Sequence, residues 1–476
     1  MWSIGVLIAA VLVVITAQWL RKWMNPRCKN GVLPPGSMGL PLIGETLQLL
    51  IPSRSLDLHP FIKKRLSKYG PIFRTSLAGR PIVISADPKV NHFILSQEGK
   101  LVELWYLDTF SKLFNQEGDS RTSAVGNVHK YIRKTTLNHL GMEALKEKLL
   151  PELEKMACIT LDHWSNQESV EVKRAFGAMV FDFTAKMLLG YESDNSLDNL
   201  SEKFNNIVEG LMSFPLNIPG TAFHECMKSK KKIMEFIKSK FNGKRAGPKT
   251  SKGDFLDQAI HDMTTETFLG EEFIVQLIFG LLFASFESNS STLTFAMLKL
   301  SQHPSALEML TAEHETILRN RKNVKLSPLA WDEYKSMTFT LQVINETLRL
   351  ANVSPGLLRK ALKDIQVNGY TIPAGWTILV AASAQQLNPN VFDGALEFNP
   401  WRWKDIDKNA VEQNFMPFGG GMRQCAGAEY SKALISTFLH VLVTKYRWSL
   451  VKTGDIRRNP LLTFGDGVHI KVSKKE

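Results

Sequence analysis

Cysteine is scarce in this chain, with Cys28, Cys158, Cys226 and Cys425 the only four among 476 residues. None lies at the spacing of a pair, so the sequence excludes a disulfide framework and a zinc cluster, and a reducing compartment is the simplest setting. Flavin and dinucleotide fingerprints are missing too, which excludes a chain carrying its own nicotinamide site of that kind. There is no internal repeat and no nucleic-acid motif. Lys plus Arg exceed Asp plus Glu by 58 to 46, but the excess sits in a few clusters rather than along a groove. Charge is absent altogether from Met1 to Leu20. Twenty helical residues at a rise of ~1.5 Å cross the ~30 Å hydrocarbon core of a bilayer, so residues 1–23 read as a membrane anchor. A cleaved signal peptide is the competing reading, but its basic charge would precede the apolar run, whereas Arg21, Lys22, Arg27 and Lys29 follow it. Positive residues on that side place the rest of this single-pass chain in the cytosol, with Trp19 and Trp23 at the interface.

Residues 24–44 hold Leu33-Pro34-Pro35-Gly36, Gly39-Leu40-Pro41 and Gly44. Proline fixes φ and glycine frees it, so this is a stiff, bent hinge before the main domain, residues 45–476. Ile72 to Leu77 and Pro81 to Ser85 are β-prone runs around Ala78-Gly79-Arg80, which predicts a hairpin. From Asn91 to Arg319 the apolar period is mostly helical, including Met142 to Trp164 and Phe273 to Leu300. Lys228 to Lys252 is strongly basic and ends in Gly243-Lys244-Arg245-Ala246-Gly247-Pro248, a loop signal. Such a run is ordinarily a solvated face, with anionic lipid as the alternative partner. Strand signals return at Ile365 to Ile372 around Asn368-Gly369, at Thr377 to Ala381, and from Trp448 to Val472. The pattern predicts an α+β fold, mainly α, with small β-sheets near both ends.

The densest chemical signal runs from Phe418 to Gly427. Gly419, Gly420 and Gly421 remove three side chains in succession, so the backbone can turn sharply and lie against a flat group. Cys425 then precedes a helix-competent run, Ala428 to Tyr446, where backbone N–H groups and the helix dipole favour a thiolate. Zinc wants four close donors, whereas haem iron needs a single axial thiolate; a lone cysteine is otherwise an inert small hydrophobe. Phe418, Gly421, Arg423, Cys425 and Gly427 together match the haem-binding signature of the cytochrome P450 family, which the chain resembles from its N-terminal transmembrane helix to its C-terminus. The resemblance implies the triangular haem-thiolate fold and haem b, with Cys425 as the axial ligand to the metal. It also implies Phe418 under the porphyrin, Arg423 on a propionate, and O2 as co-substrate. Electrons would come from NADPH through a separate membrane-bound NADPH–cytochrome P450 reductase, in the endoplasmic reticulum.

Further positions follow the family pattern. Glu346 and Arg349 lie three apart on a helical run, Leu341 to Leu350, and Phe398-Asn399-Pro400-Trp401-Arg402-Trp403 comes after them. The resemblance makes Glu346, Arg349 and Arg402 a buried charge network with a structural role. It gives Arg359, His129 and Arg133 to the propionates, although many members carry Trp where His129 stands. Ala284-Ser285-Phe286-Glu287-Ser288-Asn289 is similar to the family's Ala/Gly-Gly-x-Asp/Glu-Thr-Thr segment, with departures at Ser285, Ser288 and Asn289. Serine keeps a hydroxyl that donates and accepts, so Glu287 and Ser288 are the expected catalytic proton relay.

Trp105, Leu107, Leu211, Phe214, Phe279, Phe283, Phe286, Leu357, Leu358 and Phe464 are the pocket candidates, a composition suited to a large apolar ligand. Gly39 to Thr46, Asp332 to Phe339 and Phe398 to Trp403 resemble plant members of the sterol, brassinosteroid and triterpenoid clan, above all oxidases of triterpenoid scaffolds such as cucurbitadienol and β-amyrin. The expected reaction is hydroxylation of a triterpene, with oxidation onward to a ketone as an extension. The alternatives are a sterol hydroxylase or side-chain-cleaving enzyme of the same fold, and a non-catalytic haem- or lipid-binding membrane protein.

Overall fold

Helix α1 (Trp2–Met24) carries no acidic residue, keeps its basic residues Arg21 and Lys22 to its last turn, and has none of its Gly5–Met24 span buried. It is long and apolar enough to cross a membrane. The computed structural model describes residues 2–114, 124–191, 200–211, 213, 215–247, 253–321, 328–459 and 461–475. After α1 the connector does not swing free. Trp23 Nε1 donates to the Gly39 carbonyl (3.2 Å), and the amide of Arg74 donates to Pro35 (2.8 Å). A Cβ on Gly44, where φ is 67°, would lie 2.1 Å from the Ser76 carbonyl, so only glycine lets the chain come this close.

That edge belongs to a five-stranded sheet built from β1 (Ile72–Leu77), β2 (Arg80–Ser85) and β3 (Val102–Leu104). Two further strands complete it, β5 (Leu357–Ala361) and, after the separate hairpin of β6 (Ile365–Val367) and β7 (Tyr370–Ile372), β8 (Thr377–Val380), while β4 (Val170–Glu171) belongs to another sheet. The sheet order is β1-β2-β8-β5-β3, with β2 and β8 parallel and the other pairs antiparallel. Asn368 and Gly369 both have positive φ, 47° and 79°, as the tight β6–β7 turn requires. At the C-terminal end β9 (Tyr446–Thr453) and β4 flank the last strand, Val468–Lys474.

The helices that matter for the site are α2 (Pro88–Ser96), α3 (Asp108–Leu113), α4 (Asn127–Leu140), α5 (Leu150–Ser165), α6 (Val172–Leu189), α7 (Leu200–Leu211), α8 (Ala222–Ala246), α9 (Glu271–Gln302), α10 (Pro304–Asn320), α11 (Thr338–Ala351) and α12 (Ala428–Lys445). Helix α9 is also long and apolar enough to cross a membrane, but it is the central core helix, packed on α6, α8, α11 and α12. The α+β, mainly α reading holds. Met142 to Trp164 is helical throughout, as its apolar period predicts, with a π-turn at Leu145–Leu149 before α5. Pro151 in the first turn of α5 has no N–H and crowds the carbonyl four residues back, which widens the turn before it. Helix α8 runs through Gly243 to Ala246 rather than breaking there, because Lys244 ties it to Asp254 and, at 2.8 Å, to Asp257.

Candidate functional site

The loop before α12 is closed by its own backbone. The Gly419 amide donates to Met416 (3.0 Å), that of Gln424 to Gly421 (3.1 Å), and that of Cys425 to Phe418 (2.9 Å). Gly421 has φ of 64°, and a Cβ there would lie 2.1 Å from the Leu95 carbonyl at the end of α2. The loop is therefore pressed against α2, with Cys425 accessible at its tip. Protein atoms still crowd the sulfur. Burial pushes its thiol above the ordinary range, outweighing the Gly427 backbone N–H and the Arg133 charge, which pull it down. Gly427 is the N-cap of α12, and Phe418 is half-buried against the main core with Lys432 Nζ 5.5 Å from its ring centre. Arg133 Nη1 donates to the carbonyl of Gln424 at 2.6 Å.

Two of the cations expected at the cofactor converge on a carboxylate that sequence reasoning missed. Glu98, 3% exposed, lies 2.8 Å from Arg359 Nε through Oε2 and 3.2 Å from Arg423 Nε through Oε1. Oε1 also accepts from the Leu104 amide (3.0 Å), and Leu104 pairs with Arg359 across β3 and β5. The Arg359 Nε and Glu98 Oε2 atoms are close enough for an ion pair but out of line for a hydrogen bond. Arg359 Nη1 donates to Leu358 (2.8 Å). Arg423 Nη2 donates to Ala124 (3.0 Å). His129 stands within reach of this charge: burial, then Arg423 and Arg133, hold it below its ordinary pKa, while Glu98 opposes them. Nothing in local spacing announces Glu98, because both arginines are remote in sequence.

Glu346 is the hub of a second charge network, with Arg349 and Arg402. Arg349 sets Nε and Nη2 on the two Glu346 oxygens at 2.9 Å each, and Arg402 Nε reaches Oε1 at 3.1 Å. Trp403 Nε1 and the Asn399 amide, both at 3.0 Å, complete the carboxylate. Glu346 and Arg349 are wholly buried, and the remaining arginine donors go to carbonyls, among them Ala395 (2.7 Å) and Gly394 (3.2 Å).

On α9, Ala284 is exposed while Gly280 and Ser288, one turn to either side, are partly accessible; most of the helix is buried. Ser288 Oγ donates to the Ala284 carbonyl (2.7 Å). Glu287 does not bond to Ser288. Its Oε1 accepts from Lys173 Nζ of α6 (2.8 Å) and from Ser291 (2.9 Å), and its Oε2 is buried without a partner. Asn289 donates to the Ser285 carbonyl (2.7 Å).

The pocket candidates divide. Phe283 is half-buried and meets Phe110 (6.5 Å) and Phe114 (5.1 Å), which belong to a stack that begins at Tyr106 and Phe110 (4.3 Å). Phe110 and Phe114 were not singled out from sequence. Leu357 lies 3.5 Å from where a Gly419 Cβ would be, and Leu358 beside it is half-buried. Trp105 sits under Arg80 (5.7 Å), Leu107 is exposed, and Leu211 is half-buried on the core. Phe279, Phe286 and Phe464 are enclosed in the core; Phe286 packs on Gly177 of α6 and on Phe204 (5.6 Å). Phe214 lies outside the described residues.

An accessible thiol on a glycine-rich loop, with Arg133 bonded to that loop and Arg423 within it, suits a flat, anionic, metal-centred group. Among the described residues no three His, Cys, Asp or Glu side chains gather as a metal cage. The sequence profile of the family Cytochrome P450 matches residues 34–470. A beta-amyrin 16-alpha-hydroxylase from Maesa lanceolata is 51% identical over 475 residues, covering 100% of each chain. A cucurbitadienol 11-hydroxylase from Siraitia grosvenorii is 50% identical over 476 residues, again with 100% of each covered. Among solved structures, retinoic acid bound cyanobacterial CYP120A1 superposes with a TM-score of 0.81 at 24% identity, covering 94% of this chain and 100% of that one, a likeness of fold alone.

Proposed function

The chain belongs to the cytochrome P450 family, monooxygenases in which a cysteine-ligated haem iron uses O2 and electrons from a redox partner, and on that premise we propose that it hydroxylates a triterpene scaffold. The observation that carries the substrate class is the full-length identity of half or more to two enzymes named for beta-amyrin and cucurbitadienol. In this reading Cys425 is the axial ligand, Phe418 and Gly421 form the bed of the ring, and Arg359, Arg423, His129 and Arg133 serve its carboxylates. The bound haem supplies activation of O2, so that one oxygen atom enters a C–H bond and the other leaves as water, consuming two electrons and two protons.

The chain's own residues orient the substrate and move those protons. The aromatic stack of Phe110, Phe114 and Phe283 offers an apolar wall without hydrogen-bonding demands, which suits a fused hydrocarbon ring system. Ser288 holds a proton at Oγ on the accessible stripe of α9, and its lone pairs remain free to accept another. Glu287 Oε2 is the oxygen without a partner, and since no bond joins Glu287 to Ser288, a proton passing between them crosses a water or a side-chain rotation. Lys130, Arg133 and Lys134 line an open cleft of about 560 Å³ beside Met422, a basic face for an acidic NADPH-dependent reductase. Helix α1 is the anchor in this reading, in the endoplasmic reticulum membrane.

The test is a product screen in microsomes holding this chain and a plant reductase, supplied in parallel with cucurbitadienol, β-amyrin and cholesterol, after a reduced-CO spectrum has been recorded. An oxygenated triterpene is the expected outcome. Oxidised cholesterol alone would overturn the substrate class, and Ser288→Ala with unchanged product per NADPH consumed would overturn the relay.

A further inference from the structure

We propose that Glu98 is a positioning residue of the haem site: it presets Arg359 and Arg423 for the cofactor's carboxylates and tempers the positive charge they bring. The proposal rests on the haem reading above. Two guanidiniums aimed at one ligand repel each other and, left alone, turn toward solvent. Here one buried carboxylate stands between them, with Arg359 on one oxygen and Arg423 on the other. That carboxylate is itself held by the Leu104 amide, on the strand paired with the one carrying Arg359. Glu98 thus joins three elements, the end of α2, the β3–β5 ladder and the cysteine loop. One negative charge against two positive charges leaves a surplus of one positive charge, which attracts an anionic group without the full repulsion of a bare pair.

The unsatisfied geometry points to a ligand. The buried Arg359 Nε and Glu98 Oε2 stand 2.8 Å apart but misaligned, so neither atom completes a hydrogen bond. A buried ion pair that served only the fold would align its donors, because unmet buried polar atoms are costly. Tyr106 belongs to the same cluster, with its phenol within electrostatic reach of Arg359, Arg423 and Glu98.

Full-length protein in microsomes, native and carrying Glu98→Gln or Glu98→Asp, tests the proposal by reduced-CO spectrum, haem reduction potential and the rate of haem transfer to apomyoglobin. Glu98→Gln keeps the shape and removes the charge. Its potential should move upward, since losing a nearby negative charge favours the reduced iron, and haem transfer should quicken about tenfold, the equivalent of one charge-assisted hydrogen bond. Glu98→Asp keeps the charge on a shorter arm, so its potential should stay near native while transfer quickens less. A Glu98→Gln protein with native potential and native transfer rate would overturn the proposal. So would a Glu98→Asp protein whose potential moves as far as that of Glu98→Gln, or loss of the folded chain in both variants. Absence of a thiolate-type CO band in the native protein would instead overturn the haem reading beneath it.

Discussion

Glu346 and Glu98 each hold two arginines beneath the surface, and the two clusters differ in what is left over. Around Glu346 both carboxylate oxygens and nearly every guanidinium nitrogen meet a protein partner, including a tryptophan N–H and several loop carbonyls. Around Glu98 one ion pair is out of line, which leaves the buried Arg359 Nε and Glu98 Oε2 without a hydrogen bond. The first cluster meets its donors within the protein; the second leaves two buried polar atoms unmet. A closed network spends its hydrogen bonds on the fold, while an open one reserves them for a ligand, and the two are told apart by counting donors rather than by burial.

The contrast can be broken most forcefully at Glu346. Glu346→Ala strands two buried arginines and should lower stability by ~3–5 kcal/mol, abolishing haem incorporation. Denaturant unfolding followed by circular dichroism measures it, and a stable, haem-loaded variant would erase the distinction. A third buried pair sharpens the contrast because it carries no charge. His314 and His440 meet Nδ1 to Nδ1 at 3.0 Å between α10 and α12, and burial drives them to about 3 and about 4. Both folded values lie below the unfolded one, so the unfolded chain binds more protons as pH falls below ~6.5, and stability drops on the order of 2–4 kcal/mol from pH 7 to pH 5. The double variant His314→Gln/His440→Asn should flatten that slope in urea midpoints measured against pH; an unchanged slope would assign it elsewhere.

Exchanging one arginine in each cluster gives a crossed result. Arg402→Leu should cost the apoprotein ~1–3 kcal/mol, whereas Arg359→Leu should leave apoprotein stability nearer native and speed haem loss. Equal effects on both readouts would mean that the clusters do the same work. The smallest effect is expected at Lys173, the cation paired with Glu287 among the described residues. With both side chains partly accessible, Lys173→Met should change stability by no more than ~1 kcal/mol, and lower kcat with KM unchanged if Glu287 carries protons. Steady-state kinetics with a confirmed substrate separates the two.

The Asn368-Gly369 turn was legible from the residues alone, since two positive φ values demand those types. Helical spacing put Glu346 and Arg349 on one face, but their network with Arg402, like the ligand role of Cys425, was read from the resemblance to the family. Glu98 was not, since its partners lie on a distant strand and a distant loop and only tertiary packing joins them. Lys173 was hidden for the same reason, and its contact turns Glu287 away from Ser288. Phe286 illustrates the converse error: a large apolar residue on the right helix, but on the face that packs against α6 and α7. Helical spacing narrows the choice of face only when the neighbours are known.

The close approach of Gly421 to the Leu95 carbonyl also sets a dimension. Leu95 touches the loop that carries the sulfur, and Glu98, three residues later, holds the arginines. One short stretch of backbone therefore acts as a caliper, its jaws resting on the thiol end and on the cationic end of the site. Lengthening or shortening it by a residue would rescale the span between those ends while leaving every side chain of the signature in place.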